Sequence, residues 1–185
     1  MSISTATIPD YITGTWTIDP LHSHVSFSVS HLAISKVRGS FEKFEGTIVT
    51  AENPLDSIIT ATIDMASVTT NQPDRDAHLR TSDFFAVAEF PTMDFVSTGI
   101  RTEGVTFYID GNLTLRGVTK PLTLKGQFGG ITTDGFGQLK AGASASTTID
   151  RTDFGVSFNQ ALDAGGFMIG NEIAINLDIQ VILES

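Results

Sequence analysis

The chain has 185 residues, 41% of them hydrophobic, a formal net charge of −10 and no cysteine. That length suits a single domain with a substantial core. The charge argues against nucleic acid and against docking on an anionic membrane by a basic patch, and the lack of cysteine excludes thiol catalysis, disulfides and thiolate metal sites.

The expected domain limits are a flexible leader over residues 1–13 and one domain over residues 14–185. The leader has no basic start followed by an apolar run, so no secretory signal is legible and a cytoplasmic location is expected. No stretch approaches ~18 consecutive apolar residues, so no integral membrane span is expected. Thr15 to Ile18 opens the ordered part, and Asp19-Pro20 punctuates it. Val25, Phe27, Val29 and His31 then alternate with Ser26, Ser28 and Ser30, the period of a strand with two unlike faces. Gly39 to Val49 reads as the next strand, with a β-bulge expected to bring both Phe41 and Phe44 to one face. After a turn at Asn53-Pro54, Ile59, Ala61, Ile63 and Met65 oppose Thr60, Thr62 and Asp64.

Alternation stops from Asn71 to Phe85. Pro73 fits a helix's first turn, Asp74 and Asp76 favour its positive end, and Arg80 suits the far end, so one short helix is expected near Asp74–Arg80. Strand patterning resumes at Met93, Phe95 and Ser97. From Val105 to Leu115 it is unbroken, with Val105, Phe107, Ile109, Gly111, Leu113 and Leu115 on one face. Leu122, Leu124, Gly126 and Phe128 follow, with turns expected at Gly129-Gly130 and Asp134-Gly135. Leu139–Ile149 is small and polar, and Ile173 to Leu183 closes the chain. About eight antiparallel strands at this spacing predict an all-β closed barrel, which either fills itself or holds one ligand. The 13 phenylalanines, against 2 Tyr and 1 Trp, supply apolar surface without a polar atom to satisfy.

Little in the chain points to catalysis. His22 and His24 share a face, but there is no HExxH and no clear third ligand, so hydrogen-bonding roles outweigh a metal site. His31 is expected to point inward at a strand end, as a structural histidine or as a polar tip that orients a head group. In Asp74–Leu79, Asp74 and Asp76 do not face each other. Arg75 is expected to pair with a strand acid and fix the helix over the barrel, and Arg151 invites a similar structural role. No phosphate-cradling loop or nucleophile elbow is present, so the sequence supports no enzyme and no cofactor.

One set of segments, in order, resembles the YceI-like family of lipocalin-like, polyisoprenoid-binding proteins. They are Trp16–Asp19 with His22-Ser23, Val25–His31, Gly39–Phe41, Phe44–Gly46, Arg75–Leu79, Ser82–Phe85, Phe90-Pro91, Gly111–Lys120, Arg151–Gly155 and Ile169–Ile173. Asn171 departs from a common Asp, and Ala143 stands where the family often has Phe, which widens a cavity locally. The resemblance implies an extended eight-stranded barrel around a hydrophobic pore that a long isoprenoid lipid or isoprenoid quinone threads, for transport, storage or sequestration. It is compatible with a homodimer, although no exposed apolar stripe argues for one.

Strands of roughly 9 residues at ~3.3 Å each make a cavity on the order of 30 Å long before tilt. The expected lining is Phe27, Val29, Phe41, Phe44, Ile63, Phe95, Phe107, Ile109, Leu113, Leu115, Ile175 and Leu177. His31, Arg75, His78 and Arg151 are the expected polar end. The competing class is an enzyme acting on such a lipid, or a metal-assisted hydrolase using the histidines.

Overall fold

The computed structural model describes residues 8–184; the expected leader's residues 1–7 lie outside them. The strands are β1 (Gly14–Ile18), β2 (His24–His31), β3 (Ser35–Phe41), β4 (Phe44–Thr50), β5 (Ile58–Asp64) and β6 (Val68–Thr69). After the helix α1 (Pro73–Leu79) come β7 (Thr92–Glu103), β8 (Thr106–Leu115), β9 (Val118–Thr133), β10 (Leu139–Asp150) and β11 (Ile169–Leu183). They run in the order β1-β4-β5-β7-β8-β9-β10-β11-β2-β3-β6, and an added β1–β11 pairing closes the sheet.

β1 and β2 lie end to end along β11, β4 and β3 lie against them in turn, and β5 and β6 follow. Each couple is one broken stave, so the closed antiparallel barrel has eight staves. Closure removes the unpaired edges that an open sheet of this length would expose.

The breaks are where the sequence reading needs correction. Gly39 to Val49 is two strands, with a corner at Glu42-Lys43 in place of a bulge. The corner is tied to the short turn after β5: the Glu42 N–H donates to the Ser67 carbonyl (3.1 Å), Lys43 N–H to Ser67 Oγ (3.0 Å) and Asp64 N–H to the Lys43 carbonyl (3.0 Å). The bend turns both Phe41 and Phe44 inward, three positions apart. Gly129-Gly130 is likewise no turn. β9 runs through it, and Gly129 is the extra residue between the pairs Phe128–Ala143 and Gly130–Gly142. Val105 sits exposed in the β7–β8 turn, so the alternating strand starts one residue later.

Outward positions carry polar cross-strand pairs, such as Thr47 with Thr60 (2.9 Å) and Arg101 with Asp110 (2.7 and 2.8 Å). The helix spans Pro73–Leu79, one residue earlier than the Asp74–Arg80 expected. So short a helix is marginal alone, and tertiary bonds hold it. Buried Asp76 accepts from Thr70 N–H (2.8 Å) and Thr70 Oγ1 (2.5 Å), while Arg75 donates to Thr70 Oγ1 (2.7 Å) and the Thr70 carbonyl (2.8 Å). Arg75 therefore does anchor the helix, but through Thr70 and not through a strand acid.

Between β1 and β2 the chain folds over a buried Asp19. Its carboxylate takes the Leu21 N–H (3.0 Å), the His22 ring (2.7 Å) and Lys140 Nζ (3.3 Å), and Lys140 also reaches Asp134 (3.5 Å). Burial works against this carboxylate, but the bonds from His22, Leu21 and Lys140 outweigh it and hold its pKa below the ordinary 3.8. A depressed carboxyl pKa contributes stability that is complete above the ordinary value and lost as pH falls through the native one. Asp19→Asn is therefore expected to lower the melting temperature at pH 7, with the gap to wild type closing below about pH 4. Melts from pH 7 to pH 2 check this; a gap that persists undiminished at pH 2 contradicts it.

Candidate functional site

The barrel encloses two chambers along its axis. The wider, about 420 Å³, lies at the end that carries α1, the β2–β3 turn and the segment 151–168. The narrower, about 170 Å³, adjoins it and is walled by carbon almost throughout. Val25, Met93 and Ile175 line both, so the chambers abut at a waist that these three side chains form.

Parity decides which strand residues reach the bore. Phe27, Val29, His31, Phe41, Leu115 and Ile175 form strand walls of the wide chamber, where Arg75, His78 and Arg151 also lie. Phe44, Ile63, Phe95, Phe107, Ile109, Leu113 and Leu177 line the narrow one, with Ile175 shared, and Ala143 and Ala145 leave β10 flat on that side. Three inward rings lie on glycines of the neighbouring strand: Phe27 on Gly39, Phe95 on Gly111 and Phe107 on Gly126. A Cβ at any of the three would meet the ring at less than contact distance, so these glycines let the rings lie back and leave space between opposite walls.

Several wall residues have no periodic signal. Phe84, Phe85 and Leu79 cover the wide chamber from the α1 region, and Val156, Phe158 and Met168 cover it from the segment after β10. All but Leu79, the last residue of α1, sit in irregular structure, where spacing carries no facing information. Met93 did carry a signal, because it shares the inward parity of Phe95.

Polar groups gather at the wide end. His78 pairs with Asp83 (2.8 Å) and meets the rings of Phe84 and Phe158 edge-on at 5.0 and 5.1 Å. Arg151 is 4% exposed and starts a single turn, Arg151–Phe154, that Gly155 closes with a left-handed backbone (φ 75°). Its Nη1 donates to the Val156 carbonyl (2.7 Å) and its Nε to the Gly170 carbonyl (2.9 Å), joining both ends of the β10–β11 connection. Its Nη2 is buried without a hydrogen-bond partner, and no carboxylate among the described residues lies within 4.0 Å of it. Burial pushes the Arg151 pKa down, against the pull of Asp150, yet a guanidinium stays charged in proteins. The wide chamber thus has, in Arg151, a buried cation with a spare donor in a largely apolar wall.

No group of three or more His, Cys, Asp or Glu among the described residues is placed to hold a metal ion. His22 is engaged by Asp19, and His24 lies exposed on β2. No helix among the described residues is long and apolar enough to cross a membrane.

Residues 16–181 match the YceI-like domain family. The chain belongs to the YceI-like family. Protein YceI of Salmonella newport strain SL254 is 42% identical over 137 residues, covering 74% of this chain and 72% of that protein. Among solved structures, BcnA of Burkholderia cenocepacia superposes with a TM-score of 0.74 at 20% identity, over 88% of this chain and 98% of that one. A polyisoprenoid binding domain from Saccharophagus degradans, implicated in plant cell wall breakdown, gives 0.69 at 15% identity, over 91% and 98%. At those identities the two structures establish the YceI barrel as a shared fold.

Proposed function

We propose that this YceI-like protein is a non-enzymatic lipid carrier that holds one isoprenoid or isoprenoid-quinone chain in its bore, for transport, storage or sequestration. The observation that carries the reading is a pair of abutting apolar chambers whose polar groups cluster at one end. Each methylene moved from water to such a wall contributes ~0.8 kcal/mol, so a long chain binds tightly without specific polar contacts along its length. His31, Arg75, His78 and Arg151 serve the head group, and the phenylalanine and aliphatic walls take the chain. The polyisoprenoid binding named for the Saccharophagus domain agrees with this chemistry. A cytoplasmic setting belongs to the same proposal and is tested by cell fractionation.

Denaturing mass spectrometry of the purified protein tests the reading. An intact long-chain isoprenoid released at close to one per chain is expected. Stoichiometric zinc that is lost on His22→Ala or His24→Ala would instead favour a metal-assisted hydrolase. Protein that neither carries nor takes up lipid overturns the carrier reading.

A further inference from the structure

The waist joins three residues from opposite sides of the barrel. Around the closed sheet β7 stands four staves from β11 in either direction, so Met93 on β7 faces Ile175 on β11 across the full width of the bore, with Val25 on β2 beside Ile175. Val25 and Met93 are both buried. Val and Ile are β-branched and stiff at χ1, whereas Met is unbranched and polarizable and adapts to what it touches. Of the three, Met93 is the side chain able to swing clear of a narrow apolar passage and refill it.

The chambers on its two sides differ in chemistry. The wide one carries the buried Arg151 and the histidines, and the narrow one is nearly all carbon. A lipid whose head stays with the polar groups therefore sends its tail past Met93. From His31 to Val25 the wide chamber follows β2 for roughly 20 Å, or on the order of 15 Å along the axis once strand tilt is removed. That is about the length of a farnesyl chain.

We infer that Met93 is a chain-length gate: isoprenoids up to farnesyl length occupy the wide chamber alone, and longer ones gain affinity by displacing Met93 and filling the narrow chamber. The inference rests on the lipid-carrier reading, and the experiment separates the two. The protein is equilibrated in detergent-free buffer with equimolar farnesol and geranylgeraniol, each below its solubility limit, and the retained alcohols are measured by denaturing mass spectrometry.

Each further methylene buried is worth about fourfold in affinity, so wild type is expected to prefer geranylgeraniol by at least about tenfold. Met93→Phe, which narrows the passage, brings the ratio to within about threefold of unity while farnesol is still retained. Met93→Ala, which opens it, keeps or raises the wild-type ratio. Folding of each variant is checked by its thermal melt. If Met93→Phe does not fold, Ile175→Phe narrows the same passage from the other wall with the same expectation. A folded narrowing variant with the wild-type ratio, or wild type without a length preference, overturns the gate while leaving the carrier reading intact. Wild type that retains neither alcohol overturns the carrier reading and the gate with it.

Discussion

Replacing Phe107 by Asp is expected to leave a barrel that no longer takes up lipid. Phe107 lies on β8 with its ring against Gly126, in the wall of the narrow chamber between Leu122, Leu124 and Ala145. An ionised carboxylate there meets no cation in the chamber wall, and its desolvation costs several kcal/mol if a lipid tail excludes water. An unliganded bore can instead admit water to the new group, so the penalty falls mainly on the lipid complex. The loss of a large buried ring still lowers stability, by about 3 kcal/mol. The measurement is lipid bound per chain after equilibration with an isoprenol, alongside circular dichroism to show the barrel is intact. Phe107→Leu, which keeps the wall apolar, retains uptake. A folded Phe107→Asp protein with wild-type uptake would show that the tail does not reach this wall.

Arg151→Met is expected to separate recognition of the head from recognition of the chain. The substitution removes the donors to the Val156 and Gly170 carbonyls, which are bonds to a charged group worth about 1.5–3 kcal/mol each, while relieving the burial of an unpaired cation. The two effects oppose, and a net loss of about 2 kcal/mol in stability follows. For binding, the spare Nη2 is the group a ligand oxygen can satisfy after a small adjustment of the side chain. Losing it should weaken an isoprenoid with an oxygen head by at least about tenfold and leave a headless isoprenoid hydrocarbon unchanged. Arg151→Lys does not restore the difference, because an ammonium cannot hold both carbonyls in the planar fork and still offer a third donor. Equal losses for headed and headless chains would assign Arg151 a purely structural role.

These two residues differ in how they could be read from the chain. Phe107 sits in a strand whose neighbours at Ile109, Leu113 and Leu115 repeat its parity, so its inward direction follows from a local period of two. Arg151 stands just past the end of β10 in a one-turn helix, where no period applies. That no carboxylate among the described residues lies within 4.0 Å of it is a property of segments far apart in sequence that meet around it. The same distinction explains the misread breaks. Phe41 and Phe44 violate parity whether the cause is a bulge or a corner, and only the bonds to Ser67 and Asp64 show a corner. Arg75 offered several acids as partners, and the acceptor it uses is a threonine on the segment entering its own helix.

Composition and alternation by themselves determined the all-β class, the single short helix region and the face to which most strand side chains point. They could do so because the pleat and the helix cap are set by bonds between near neighbours. About eight strands at that spacing also predicted the closed barrel, but the broken staves, the covering of the wide end by Phe84 and Phe158, and the waist at Met93 were decided only by tertiary structure. Each depends on register between distant strands: Met93 faces Ile175 because the sheet closes with β7 and β11 four staves apart, a separation that no local period encodes.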